Sequence, residues 1–265
     1  MRGHILEDLT WVEAKARIDS GAPIVIPIGA AAKAHGPHLP LRTDATTALA
    51  LGRRVAGRLP VLVAPLVPFG HYPAFTRYPG SQSLSAATFI AVLRELCEGF
   101  AAQGARRIAL INTGYSTEAP VNIALGEIRK ATGLRVVCAH LRFIGRGADA
   151  LLDAKEGGHA DERETSVMLA LDPRAVRMDR LSETVGAGDA GARGATLPPG
   201  FARSTVLSWT AGEGDPDEFA PSGTLGDATR ATAYKGERVL EAITDDLVAG
   251  LRAAFPDAPG FGGQV

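Results

Sequence analysis

Cysteine is nearly missing: Cys97 and Cys138 are the two in 265 residues, too few for a disulfide framework. Aromatic residues are sparse at 6%, and charge of either sign almost cancels, with 28 Lys and Arg against 29 Asp and Glu. That balance excludes the basic footprint of a nucleic-acid or anionic-membrane binder. No apolar run approaches the roughly 20 residues that cross a bilayer. The opening MRGHILEDLTW lacks the uninterrupted apolar stretch of a signal peptide, and no segment repeats at a fixed period. A cytoplasmic protein with a small-molecule substrate is expected, with no nucleic-acid or membrane partner and no organic cofactor.

What is present is a hydrophobic fraction of 46%, enough for one large domain spanning residues 1–265. Four short apolar segments, IVIPIG from Ile24, VLVAPLV from Val61, RIALI from Arg107 and RVVCAH from Arg135, are β-branched and nearly continuous. Strands buried on both faces of a parallel sheet read this way. Helical patterns separate them: from Trp11, with Thr10 and Glu13 as a capping box, from Asp44, from Ser85, from Thr117, from Ala160, and from Gly236 onward. Cys97 and Cys138 fall on apolar faces and read as packing residues. The alternation predicts an α/β fold, a single three-layer α/β/α domain with a mainly parallel sheet. A glycine-rich excursion at about 183–227 has no clear period and reads as a lid or subunit contact.

Three segments carry possible chemistry, and two of them follow predicted strands, where ligands of such sheets bind. The first, KAHGPHLPLRTD from Lys33 to Asp44, holds His35, His38 and Asp44 between glycine and prolines. On spacing alone it is equally a metal loop or a structural histidine pair. The second, GHADERETS from Gly158 to Ser166, opens a helix. Acids there complement the helix dipole, but His159 and Glu164 running into an apolar stretch are not explained by that. The third, NTGYST from Asn112 to Thr117, could offer amides to an oxyanion but reads more simply as a turn and helix cap.

In combination these segments resemble the creatininase (creatinine amidohydrolase) family. Gly29 to Asp44 follows its first motif, Tyr78-Pro79-Gly80-Ser81 looks like its Phe-Pro-Gly-Thr, and Gly158 to Ser166 looks like its Gly-His-Ala-Gly-Glu-x-Glu-Thr-Ser. Ser222 to Asp227, with Ala231-Thr232 and Lys235-Gly236, looks like its C-terminal signature. The resemblance implies a creatininase-like fold, a hexamer or other homo-oligomer, and hydrolysis of C–N bonds in cyclic amides at two bridged divalent metals. It makes His35 a metal ligand, Asp44 the bridging carboxylate, His159 the catalytic histidine and Glu164 an active-site glutamate.

The departures fall on ligands. Lys33 stands at the first-motif glutamate, Gly114 at a ligand histidine and Ser116 at a second glutamate. A full two-metal site is therefore not expected; one Zn or Mn on His35, Asp44 and Glu164 is, since three protein ligands and a water suffice. His159, Glu162, Glu164 and Lys33 are the expected catalytic residues, with His159 titrating near the working pH. His71, Tyr72, Asn112, Tyr115 and Ser116 are the expected substrate contacts. Phe75, at the family's substrate-loop histidine, and Trp209 are expected to influence substrate choice. The favoured function is hydrolysis of a small polar cyclic amide or related carbonyl compound. Isomerisation, elimination or ring closure on a metal-poor version of the scaffold competes with it, and a silent binding or assembly subunit ranks below both.

Overall fold

A computed structural model describes residues 2–154, 157–184 and 222–261. Among the described residues, five strands form one parallel sheet in the order β1-β3-β2-β4-β5: β1 His4–Ile5, β2 Ile24–Ile28, β3 Leu62–Val63, β4 Ile108–Asn112 and β5 Val137–His140. Around it pack α1 Trp11–Asp19, α2 Thr43–Arg58, α3 Ala86–Ala102, α4 Glu118–Thr132, α5 Glu162–Leu171 and α6 Ala233–Ala254. The three-layer α/β/α arrangement follows from the strand sequences. Ile24, Ile26 and Ile28 of β2 point into a core with Phe89, Leu93, Val121 and Ile128 of α3 and α4. Val25 points the other way, into a core with Leu51 and Val55 of α2 and Val239 and Ile243 of α6. Alternate side chains of a strand face opposite layers, so both faces must be apolar.

Helices α1, α3 and α4 start where their sequences predict. Thr10 and Glu13 form the reciprocal capping box of α1, Ser85 caps α3, and Gly133, at φ 73°, ends α4. Helix α5 begins at Glu162 rather than Ala160 and β5 at Val137 rather than Arg135, and other points differ from expectation too. The Val61–Val67 pattern supplies just two strand residues and an isolated bridge from Val67 to Ile28, because Pro65 cannot donate to the ladder. The edge strand β1 pairs with β3 and has too short an apolar pattern to be read from sequence. Helix α6 begins at Ala233 because the Thr232 side chain accepts the Lys235 amide, which leaves Gly236 inside the helix. A Cβ at Gly236 would collide with the Ser166 carbonyl, so α5 and α6 cross in backbone contact. Cys97 is buried and Cys138 partly so, consistent with packing roles. Most of the glycine-rich excursion, including Trp209, lies outside the described residues.

Strand order places the candidate site. The chain leaves β2 toward β3 on one side and returns past it to β4 on the other. The loops after β2 and β4 therefore diverge at the carboxyl edge, the switch point where such sheets bind ligands.

Candidate active site

Strand β2 ends at Ile28, in register with Asn112 of β4. Gly29 then lets the chain pass so close to the Asp44 carbonyl that a Cβ would collide with it. The loop that follows and the first turn of α2 bury Lys33, His35 and Asp44, at 5%, 0% and 4% exposure. Lys33 Nζ sits 2.7 Å from Asp44 Oδ2, and His35 Nε2 lies 3.0 Å from Asp44 Oδ1. Burial alone would raise the Asp44 carboxyl, but the Lys33 ammonium and His35 beside it hold it well below the usual carboxylate range. The ammonium also lies 5.1 Å from the Phe75 ring centroid and 6.0 Å from that of Tyr72, a favourable placement for a cation out of water.

The second half comes from the start of α5. Asp161 caps that helix by accepting the Glu164 amide, and Ala160 adopts a left-handed conformation at φ 53°, uncommon for a residue with a side chain. The turn aims the Ala160 amide at Glu164 Oε2, 2.6 Å away. It also brings His159 Nε2 within 2.8 Å of the Ala34 carbonyl, where the ring N–H donates. The His159 ring lies 4.7 Å from that of His35 and 4.6 Å from that of Phe75, centroid to centroid, and its Nδ1 lies 3.8 Å from Glu164 Oε2. Burial raises the Glu164 carboxyl to about 7. His159, expected to titrate near neutrality, is instead pushed well below the usual histidine value by burial, then by His35 and Lys33. The ring is neutral at ordinary pH.

Lys33, His35, Asp44, His159 and Glu164 are thus brought together. Tyr72, Asn112 and Ser116 line a small cavity of about 10 Å³ with Lys33 and Asp44, space for roughly one water. Burial raises the Tyr72 phenol to about 12. Asn112 is a positioning residue: its amide nitrogen donates to the Gly114 carbonyl at 2.9 Å, and its oxygen accepts from Thr117 Oγ1 at 2.7 Å. Tyr115, at 47% exposure, is shared between an inner cavity of about 40 Å³ that reaches Asp44 and Glu164 and an outer cleft of about 970 Å³.

Two expected site residues sit elsewhere. Glu162, buried at 1% exposure, accepts the Asp153 and Ala154 amides at 2.8 and 2.7 Å and pairs with Lys235. It anchors the start of α5 to α6 and does not face His159. His71 Nδ1 lies 3.0 Å from the Leu84 carbonyl, tied to the segment leading into α3. Sequence reasoning missed the Ala34 carbonyl that holds His159, for which no residue letter is a signal. It also missed the tilted contact of Phe75 with that ring.

The donor set fits a divalent metal in part. If His35 Nδ1 donates to the Lys33 carbonyl 2.8 Å away, the Nε2 lone pair of a neutral ring faces Asp44 Oδ1, also an acceptor. That contact is attractive only with a proton or a metal cation between them. Donor atoms of His35, His159 and Glu164 all lie within 4.8 Å of one another. Asp44, the third member of the expected set, is already engaged by Lys33. A second metal finds no equivalent set among the described residues, because Gly114 carries no side chain and Lys33 brings positive charge where a glutamate is needed.

The creatininase family model, described as creatinine amidohydrolase, matches residues 7–251. The chain belongs to this family. It is 30% identical to the creatinine amidohydrolase of Pseudomonas putida, over 94% of this chain and 96% of that protein. It is 34% identical to the mycofactocin precursor peptide peptidase of Mycobacterium tuberculosis, over 93% and 91%. A solved creatininase mutant of the Zn-Zn type superposes with a TM-score of 0.78 at 29% identity, covering 95% of this chain and 98% of that one. These relatives are hydrolases, and this creatininase-family chain is one in kind. Among the described residues, no helix is long and apolar enough to cross a membrane.

Proposed function

We propose that this chain hydrolyses a C–N bond in a small polar cyclic amide or related carbonyl compound, with a single divalent metal rather than two. The observation that carries the reading is the convergence of Lys33, His35, His159 and Glu164 at the switch point of the sheet, behind the opening at Tyr115. The relatives named for creatinine amidohydrolysis and peptide cleavage support C–N bond chemistry. His35 and Glu164 would hold the ion, and a bound metal supplies a nucleophilic water near neutral pH and polarises a carbonyl.

The chain's own residues do the rest. Lys33, fixed on Asp44, holds a positive charge at the small cavity it lines with Tyr72 and Asn112, where charge developing on a carbonyl oxygen is stabilised without reorganisation. Glu164 takes a proton from the attacking water and returns it to the leaving nitrogen. His159, neutral and fixed by Ala34, orients Glu164 and walls the site against Phe75. The chain is further proposed to act as a homo-oligomer, which sedimentation at micromolar concentration tests; a monomer alone would refute it.

Metal-supplemented protein incubated with a panel of small cyclic amides in heavy-oxygen water tests the hydrolase reading. Ring opening with solvent oxygen in the new carboxylate is expected, and Glu164→Gln should slow it by roughly a hundredfold. One observation favours a second reading, non-hydrolytic isomerisation, elimination or ring closure: Lys33 already neutralises Asp44 without any metal. Turnover to a product without solvent oxygen would replace the first reading by the second.

A further inference from the structure

Tyr72 is 3% exposed, and its phenol oxygen makes no hydrogen bond among the described residues. A buried hydroxyl without a partner costs free energy, so it calls for an explanation. The residue itself is firmly placed. Its amide donates to Ser83 Oγ at 2.9 Å, and its ring packs with Ala30, Ala34 and Phe75. It lines the cavity of about 10 Å³ together with Lys33, Asp44, Asn112 and Thr117. The Asn112 and Thr117 side chains are spent on each other and on the Gly114 carbonyl. Lys33 gives one of its three ammonium protons to Asp44 Oδ2. Lys33 and Tyr72 are left with protons to offer whatever occupies the cavity.

We propose that this cavity seats the carbonyl oxygen of the substrate, and that Tyr72 is a catalytic residue whose hydroxyl donates to that oxygen beside Lys33 as negative charge develops on it. The proposal rests on the hydrolase reading and deepens it by stating where the carbonyl goes and what holds it. Space for about one water admits one carbonyl oxygen and little more. Asp44 lines both this cavity and the inner cavity that runs from Tyr115 to Glu164. A substrate entering past Tyr115 therefore meets Glu164 on one side of Asp44 and presents its carbonyl to Lys33 and Tyr72 on the other. The Lys33 charge is shared with Asp44, whereas the phenol donates to the occupant alone. Burial, opposed by the Gly70 amide and aided by the Asp44 charge, keeps that phenol protonated up to about 12. It donates without giving up its proton, and proton transfer stays with Glu164. A bond that strengthens as the oxyanion forms raises kcat rather than lowering KM.

Tyr72→Phe keeps the ring and removes the hydroxyl alone, and two measurements on it decide the matter. The first needs no turnover: difference infrared spectra of the full chain, carrying Glu164→Gln so that the ring stays closed, with butyrolactam isotope-labelled at its carbonyl. A bound carbonyl band below its frequency in water is expected, moving back toward that frequency when Tyr72→Phe is added. No bound band, or the same band with and without the hydroxyl, overturns the proposal. The second is turnover of the cyclic amide that the chain opens. Tyr72→Phe should lower kcat by about a hundredfold with KM little changed, and its urea midpoint should not fall, because the lost hydroxyl had no protein partner. Full kcat, or a lowered midpoint that accounts for the lost activity, overturns the proposal. A chain that shows the shifted band and opens no cyclic amide loses the hydrolase reading and keeps the carbonyl seat. One that opens an amide at full kcat in Tyr72→Phe loses only this proposal.

Discussion

The two loops that flank the switch point are built on opposite principles. The loop after β2, with the first turn of α2 that it leads into, buries an ammonium, a carboxylate and an imidazole, the carboxylate touching both others. The loop after β4 carries no charge at the site: Asn112, Gly114 and Thr117 close on each other through hydrogen bonds, and Ser116 is exposed. In a charged pocket the first loop does the electrostatic work, while the second supplies shape. A site that keeps its charges on one loop can lose ligands from the other and still be held together, provided something neutralises Asp44. Lys33 does so.

Substitutions should respond to this asymmetry. Asp44→Asn leaves the Lys33 ammonium buried without its counter-charge and should cost about 3–5 kcal/mol in urea unfolding. The double change Lys33→Met with Asp44→Asn should recover much of that loss. If it does not, the stability of this loop comes mainly from contacts other than the ion pair. His159→Ala, by releasing Glu164 from its orientation, should lower kcat by roughly a hundredfold with the fold retained by circular dichroism. Full turnover would remove His159 from the site.

The next effect is one of pH. His38 is buried, its Nε2 pairs with Thr165 Oγ1 at 2.7 Å, and its Nδ1 has no hydrogen-bond partner among the described residues. Burial, with a smaller contribution from His35, pushes it down to about 4 from 6.5. In the unfolded chain the ring takes up its proton near 6.5, so unfolding binds a proton between those values. Stability should fall by on the order of 2 kcal/mol as pH drops from 6.5 to 4, and level off below. His38→Gln should flatten that window. At the small end, Ser116→Ala on the neutral loop should move stability by less than about 0.5 kcal/mol. A larger change would show that this loop carries more than shape.

The layer architecture and the buried strands were legible because isoleucine and valine on neighbouring strand positions state that both faces are covered. The first-motif loop was legible because His35, Asp44 and the prolines keep family spacing. Hidden from sequence were relations that run through backbone. The Ala34 carbonyl that aims His159 has no letter, and the short strand at Leu62–Val63 follows from Pro65 interrupting a run that otherwise reads as continuous. Glu162 shows the converse. Its position beside His159 in sequence suggested chemistry, yet one helical step turns it to the far side, where Lys235 receives it.

Gly236 has a consequence beyond its own helix. Where it meets the Ser166 carbonyl, α6 is keyed to α5 like a shaft in a slot, and the Lys235–Glu162 pair locks the key one residue away. His159 and Glu164 ride on that slot. The C-terminal helix contributes no atom to the chemistry, yet it sets the depth at which two of the reacting groups stand. Gly236→Ala should therefore misalign a site whose nearest member belongs to another element, and its damage should appear as lost turnover before it appears as lost secondary structure.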